Sequence, residues 1–137
     1  MAQPTYLLDT NICIYIRRGR PKVVLDRFKM RPAGSTAISV VTYRELIDGV
    51  HKNPNPQKAM LVLEDLTAWI PVLPMAADVA KAYGLIRSDL AARGERIGNN
   101  DLWIAAHAKC PGLTLVTNNE REFQSVEGLT IENWVAA

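Results

Sequence analysis

Three acidic side chains stand where strand-like runs end or helices begin. Asp9 directly follows a short apolar run, and Glu45 lies early in the helix predicted after the strand 36–39. Asp101 opens a further predicted helix, after a loop that contains Gly98. In a parallel sheet, the carboxyl ends of the strands and the amino ends of the following helices lie along one edge. We therefore expect the three carboxylates to lie close together.

Carboxylates held within a few ångströms repel one another unless a cation lies between them. Oxygen ligands from Asp, Glu and Asn side chains, together with water, suit Mg²⁺ or Mn²⁺ rather than zinc. Asn118 and Asn119 follow the predicted strand 113–117 and reach the same edge. A divalent ion in such a site lowers the pKa of a bound water and stabilises charge on a phosphoryl centre. The pattern predicts metal-dependent phosphodiester hydrolysis.

Each polar residue also has an ordinary structural interpretation. Asp9 and Asp101 are of a type that favours helix N-caps and first turns. Glu45 could be a solvent-facing partner of Arg44 or Lys52, and Asn118 and Asn119 could be turn residues and nothing more. These interpretations stay open for each residue alone, and the arrival of three acids at one edge is what favours a shared site.

Strands and helices alternate along the whole chain, which predicts a three-layer α/β/α sandwich with a central, mainly parallel sheet. Residues 1–137 are expected to form a single domain. The predicted strands are 5–9, 36–39, 70–73, 113–117 and 129–131. The predicted helices are 11–17, one beginning at Pro21, 40–50, one ending near Trp69, 76–92, one beginning near Asp101, and 120–123. Pro71 suggests that the third strand lies at a sheet edge.

Charge and cysteine content restrict the class of protein. The formal net charge is only +2, too small to indicate nucleic-acid binding by itself. Cys13 and Cys110 show no metal-binding spacing and are expected to be two buried thiols in a reducing compartment. No signal peptide and no apolar run of membrane-spanning length is apparent, which predicts a cytoplasmic protein that contacts no membrane.

Basic residues are concentrated in the segment 17–31, where Asp26 is the only acid. Such a run is either a solvated face or a patch that attracts a polyanion. An acidic site alone would repel nucleic acid, so cations near Asp9 would help to hold phosphates. The candidate RNA-binding residues are Arg17, Arg18 and Arg20.

Four motifs occur in order and at characteristic spacing. They are Leu8-Asp9-Thr10-Asn11, Tyr43-Arg44-Glu45-Leu46, Ile97-Gly98-Asn99-Asn100-Asp101 with Ile104-Ala105-Ala106-His107-Ala108, and Leu115-Val116-Thr117-Asn118-Asn119 through Glu122-Phe123. Across nearly its whole length the chain resembles PIN-domain ribonucleases, specifically the VapC toxins of type II toxin–antitoxin systems. The four motifs together are highly specific, although each alone is weak.

The resemblance implies an endoribonuclease that depends on Mg²⁺ or Mn²⁺ and cuts tRNA or another structured RNA. It also implies the PIN fold, a homodimer, and a hetero-oligomer with a VapB-type antitoxin that neutralises the toxin.

By position, the resemblance makes Asp9, Glu45 and Asp101 the catalytic acids that hold the metal. The family often has a fourth acid where this chain has Asn119, with Glu120 and Glu122 nearby. An Asn side chain can ligate through its carbonyl oxygen but adds no negative charge, which favours a one-metal mechanism. Thr10, Asn11 and Thr117 are expected to orient the ligands or waters.

Other chemistry-bearing residues receive less specific predictions. His51 and His107 are interpreted as structural, since His107 lies six residues beyond Asp101 in the same predicted helix. Trp103 could stack on a base or lie in a dimer interface.

Rival functions fit the sequence less well. A receiver-like signalling domain would need an Asp after the third strand, where this chain has Pro74, and no Gly-rich phosphate loop follows any strand. A PIN domain that binds RNA without cutting it is the remaining alternative, favoured only by Asn119.

Overall fold

The structure is a computed structural model, and it describes residues 3–136. Five strands alternate with helices along the chain. The strands are β1 (Tyr6–Leu8), β2 (Thr36–Ser39), β3 (Val72–Leu73), β4 (Thr114–Val116) and β5 (Ile131–Glu132). The helices are α1 (Thr10–Arg18), α2 (Lys22–Lys29), α3 (Val40–His51), α4 (Pro56–Trp69), α5 (Ala77–Ala92), α6 (Asn99–Lys109) and α7 (Glu120–Phe123).

The five strands form one sheet in the order β3-β2-β1-β4-β5, and every pair of neighbours is parallel. The chain runs from β1 through β2 to β3 on one side, and β4 and β5 lie on the other. The direction of winding therefore changes at β1, which lies in the middle of the sheet. β3 lies at an edge, as Pro71 predicts.

Successive residues of the central strands face opposite sides of the sheet. Leu7, Ala37 and Leu115 pack with α5 and α6, whereas their neighbours Leu8, Ile38 and Val116 pack with α1, α3 and α4. Because both faces are covered, successive residues in the middle of these strands are apolar, with no alternation of apolar and polar side chains. The predicted three-layer architecture is confirmed.

The largest error in the predicted elements concerns the last strand, which the structure places at Ile131–Glu132 rather than at 129–131. Leu129 is only half-buried, and its backbone amide closes a turn to Val126. Helix α6 begins at Asn99, so Asp101 lies inside its first turn and not at its start.

The prediction of two buried thiols is wrong for Cys110, which is exposed, whereas Cys13 is buried. Cys110 directly follows α6 and so leaves the core, which Ala108 still reaches.

Part of the basic segment has a structural role. The Arg31 guanidinium lies 5.2 Å from the ring centroids of both Tyr6 and Trp134. It also lies 3.9 Å from a carboxylate oxygen of Glu132, and Arg27 donates to the carbonyl of Asn133. These contacts attach the end of the described chain to the sheet.

His107 joins α6 to the start of α3. Its Nδ1 lies 2.8 Å from the Ser39 hydroxyl oxygen, and its Nε2 lies 3.2 Å from the carbonyl oxygen of Pro74. A carbonyl oxygen can only accept, so the neutral ring carries its proton on Nε2 and donates it to Pro74. Nδ1 then accepts from the Ser39 hydroxyl, whose oxygen also accepts from the Val41 amide. His107 thus fixes α6, which carries Asp101, against the N-cap of α3, which carries Glu45.

Burial lowers the pKa of His107, and the hydrogen bond to Pro74 opposes that shift only in part. The folded-state pKa is therefore below the unfolded-state value of about 6.5. The stability that the neutral His107 ring contributes is fully present above the unfolded-state pKa. It is lost as the pH falls through the folded-state pKa. We expect the free energy of unfolding to fall more between pH 7 and pH 5 in the native chain than in a His107→Gln variant.

Urea unfolding at a series of pH values measures this difference. His51→Gln is the matched control, because His51 is exposed and is the only other histidine. Equal pH dependence in the native chain and His107→Gln would contradict the assignment of a neutral, buried ring.

Candidate active site

The polar residues of the four motifs meet at the carboxyl edge of the sheet, around the point where the winding changes direction. Leu8 pairs with Val116 across β1 and β4, so the next residues, Asp9 and Thr117, lie side by side. The Asp9 amide continues the ladder by donating to the Val116 carbonyl at 3.0 Å. Ligand crevices in open α/β sheets form at such a switch point, which is where the structure places Asp9.

Asp9 is a buried carboxylate held by several donors. Its Oδ1 accepts from the Ile12 amide at 3.1 Å, which makes Asp9 the N-cap of α1. Its Oδ2 accepts from the Thr117 hydroxyl, whose oxygen in turn accepts from the Asn119 amide. Burial raises the pKa of Asp9, an effect that the hydrogen bonds oppose and the charge of Glu45 reinforces. The N-cap interpretation of Asp9 is confirmed, and its role in a shared site stays a prediction.

Glu45 reaches the site from the second turn of α3. Its Oε1 accepts from the Thr10 hydroxyl at 2.7 Å, and the Thr42 hydroxyl oxygen lies 3.4 Å from that of Thr10. Thr10 is the first residue of α1, directly after Asp9, so the dipeptide Asp9-Thr10 supplies one of the three predicted acids and contacts a second. Arg44 is paired with Asp48 and not with Glu45, which leaves the interpretation of Glu45 as a solvent-facing acid without support.

Asp101 lies half-buried in the first turn of α6. Its pKa is raised to about 7, first by burial, then by a hydrogen bond to the Glu122 carboxyl group and by the charges of Glu122, Asp9 and Glu45. A carboxyl group can donate to a carboxylate only while it holds its proton, so this contact favours the protonated form of Asp101. The structure therefore brings together the three predicted acids and a fourth.

The fourth carboxylate is Glu122, which belongs to the fourth motif and for which the sequence predicts no separate role. Its Oε1 accepts from the Gly98 amide at 3.1 Å, and its Oε2 accepts from the Asn119 side-chain amide at 2.7 Å. Glu122 thus fixes the N-terminus of α6 from the opposite side of the site. The one sequence signal for it is its place one helical turn after Asn119.

The remaining predicted residues lie around this centre. The side chain of Asn11 is exposed, and its backbone amide is directed at the Asp9 carboxylate. Asn119 contacts Glu122 through its amide nitrogen, and its role as a metal ligand stays a prediction. His107 is held by Ser39 and Pro74, away from the acids, while His51 is exposed at the end of α3.

The atoms in this site that could ligate a metal ion are carboxylate, hydroxyl and amide oxygens. Across residues 3–136, no group of three or more His, Cys, Asp or Glu side chains is arranged to hold a metal ion. Mg²⁺ commonly takes one or two carboxylates and completes its octahedron with waters and substrate phosphates. A set of four acids that repel one another at a sheet edge fits such an ion by its chemistry.

The candidate RNA-binding arginines lie at the far end of α1. Arg17 and Arg18 form its last turn, Arg20 follows the helix, and all three are exposed. They are about 12 Å from the start of the helix at 1.5 Å per residue. Between them and the acids, the Asn118 side-chain amide donates to the Tyr15 hydroxyl at 3.3 Å.

Trp103 stacks on Tyr83, with ring centroids 4.1 Å apart and an interplanar angle of 26°. One face of the Trp103 ring is therefore covered by α5.

In the part of the chain that is described, no helix combines the length and the apolar character needed to cross a membrane.

The sequence matches the model of the PIN domain family over residues 6–129. It is 42% identical over 130 residues to Ribonuclease VapC2 of Haemophilus influenzae, an alignment that covers 95% of this chain and 98% of that protein. It is 43% identical over 129 residues to the tRNA(fMet)-specific endonuclease VapC of Shigella flexneri, covering 94% of this chain and 97% of that one.

The fold agrees with these matches. A crystal structure of DNA-bound VapBC from Salmonella typhimurium superposes with a TM-score of 0.90 at 36% identity, covering 96% of this chain and 99% of that one. The chain belongs to the PIN-domain family and, within it, to the VapC ribonucleases.

Proposed function

We propose that this chain is a Mg²⁺- or Mn²⁺-dependent endoribonuclease toxin that hydrolyses RNA phosphodiester bonds. The observation that carries the proposal is the convergence of Asp9, Glu45, Asp101 and Glu122 on the switch point of the sheet. Four carboxylates in one partly buried place repel one another, and acids with pKa values raised in this way are concentrated at functional sites.

The residues of the site would act by holding their oxygens in fixed positions. Thr117 and the Ile12 amide hold Asp9, and Thr10 holds Glu45. Glu122 is held by Gly98 and Asn119. Fixed carboxylates need little reorganisation when a phosphate enters, which is how a prearranged polar site lowers a reaction barrier.

In the proposed reaction a water oxygen forms a bond to phosphorus while the bond from phosphorus to a ribose oxygen breaks. Asp9, Glu45 and Asp101, with Glu122 beside them, are the proposed ligands of the divalent ion. When bound, that ion would neutralise the carboxylates, favour deprotonation of a water and stabilise charge on the phosphoryl oxygens. Asn119, if it ligates, would add no charge, which favours one metal ion over two.

The names of the relatives supply the proposed substrate and partner. The Shigella flexneri relative is named for tRNA(fMet), and the Salmonella typhimurium relative is described as a VapBC assembly. We propose tRNA, or another structured RNA, as the substrate and a VapB-type antitoxin as the neutralising partner. A homodimer that forms a hetero-oligomer with the antitoxin is the proposed assembly, and the cytoplasm its proposed location.

The first test uses an Asp101→Asn variant, which keeps the side-chain shape and removes one charge. We expect purified, antitoxin-free native chain to cut total RNA at discrete bonds in Mg²⁺, and the variant to cut at least about 100-fold more slowly. Sequencing of the new RNA ends measures the activity, and EDTA should abolish it. The matched control is Asp65→Asn, since Asp65 is an exposed acid on α4.

Discrete cutting that survives both EDTA and Asp101→Asn would contradict the proposed metal-binding role. Absence of cutting by folded, antitoxin-free native chain would favour a PIN domain that only binds RNA.

The same Asp101→Asn variant should be more stable than the native chain at pH 8 in EDTA. The folded-state pKa of Asp101 is above its unfolded-state value, so its contribution to stability is full at low pH and lost as the pH rises through about 7. Removing the charge should raise the free energy of unfolding by about 1 kcal/mol, a value reduced for screening by solvent. Urea unfolding measures this gain in the free energy of unfolding, which should disappear below pH 4. If the variant is no more stable than the native chain at pH 8, the acids repel one another little.

The arginines at the end of α1 provide a further test of the proposed RNA contact. Replacing Arg17, Arg18 and Arg20 together by Ala should weaken RNA binding and make its dependence on salt less steep. Fluorescence anisotropy at several salt concentrations measures both quantities. An unchanged salt dependence would show that RNA phosphates contact another surface.

A further inference from the structure

A cleft beside the acidic centre remains without a role in the proposed reaction. It lies between the second half of α5, the loop 93–98 and the start of α6, and it has a volume of about 600 Å³. Its lining includes Tyr83, Arg87, Arg96 and Asn99. Gly98, which lies between the lining residues Ile97 and Asn99, donates its backbone amide to the Glu122 carboxylate of the acidic centre at 3.1 Å. The cleft is therefore adjacent to the site.

Hydrogen bonding inside the cleft leaves donors available to a ligand. The Tyr83 hydroxyl and the Asn99 Oδ1 atom lie 2.6 Å apart, and the hydroxyl is the donor because an amide oxygen can only accept. The Asn99 side-chain nitrogen has no acceptor within residues 3–136, so its two N–H groups are free. Tyr83 is itself fixed by its stack on Trp103. The Asn99 amide is thus held in one orientation.

The charge of the cleft is positive. Arg87 and Arg96 are exposed and form no ion pair within the described chain, whereas the nearby Arg93 is paired with Asp89 at 2.7 Å. Among residues 3–136, the Arg87 guanidinium makes one hydrogen bond, to the Tyr83 hydroxyl at 3.4 Å. Glu95 is the one acid among the residues that line the cleft. Two uncommitted guanidinium groups suit phosphate, which they can bind through paired hydrogen bonds.

We propose that this cleft binds the RNA nucleotide next to the scissile bond, Arg87 and Arg96 holding its phosphate and Asn99 donating to its base. The inference rests on the proposed function, since it assumes that RNA reaches the acids. It makes Asn99 a specificity-determining residue, because an amide of fixed orientation distinguishes bases by their acceptors. Tyr83 is a positioning residue that acts through Asn99.

The binding test compares two double variants that each lose two positive charges. Arg87→Ala with Arg96→Ala removes the cations of the cleft. Lys29→Ala with Lys109→Ala is the control, because these exposed lysines end α2 and α6 at the opposite edge of the sheet. The probe is a fluorescein-labelled initiator tRNA transcript in EDTA, which prevents cutting, and anisotropy gives Kd at several salt concentrations.

We expect the cleft variant to raise Kd about 10-fold more than the control and to reduce the slope of log K against log salt by about 1.4, the value for two phosphate contacts on a single strand. Equal Kd values and equal slopes for the two double variants would overturn the proposal. Failure of the native chain to bind the transcript would overturn it as well.

A second measurement reads specificity directly. Tyr83→Phe keeps the aromatic ring that stacks on Trp103 and removes the donor to Asn99, while Asn99→Ala removes the amide. In Mg²⁺ both variants should cut at additional bonds, seen as new RNA ends in sequencing. Cut positions identical to those of the native chain in both variants would exclude base recognition by Asn99.

The two proposals can fail separately. If the native chain binds the transcript but leaves it intact in Mg²⁺, the proposed nuclease function is wrong. The comparison of the double variants in EDTA then still tests whether the cleft binds RNA. If the native chain cuts RNA and the cleft variant binds like the control, the cleft proposal alone is wrong.

Discussion

Repulsion between carboxylates is the interaction on which the arrangement of this protein depends. Asp9 is buried, Asp101 is half-buried, and the pKa of each is raised, in part by the charges of the other acids. Charge held in this way disfavours folding, so the surrounding structure must offset it. The offset is local, because each acid other than Asp101 accepts from nearby hydroxyl or amide donors.

Those donors come from the topology of the sheet. Parallel strands end at one edge, and the helices that follow begin there with unpaired backbone N–H groups that favour negative charge. Asp9 caps α1, and Glu122 accepts from the amide of Gly98 at the start of α6. His107 then fixes α6 against the N-cap of α3 through Ser39, so that two acid-bearing helices cannot move apart independently. The core determines the distances between acids, and the helix ends reduce the cost of their charge.

Spacing along the chain was enough to predict the fold class and the meeting of Asp9, Glu45 and Asp101, because a parallel sheet determines where strand ends lie. It could not identify Glu122 as the fourth acid or the contact between Tyr83 and Asn99. Both depend on side chains from separate helices meeting across loops, which periodicity does not describe. Cys110 was mispredicted for a related reason, since burial at the end of a helix depends on where the neighbouring elements stop.

The position of free cations decides how a polyanion could approach an acidic centre. Arg27 and Arg31 contact the end of the chain, Arg44 and Arg93 are paired with acids, and such pairs leave little net field for a ligand. The helix α1, which carries the first arginines, covers one face of the sheet, whereas α5 and α6, which border the cleft of Arg87 and Arg96, cover the other. A single RNA strand that crosses the acids can therefore be held by cations on both sides. Under the proposed arrangement the α1 arginines contribute affinity for RNA, whereas the fixed Asn99 amide determines which phosphodiester bond is cut.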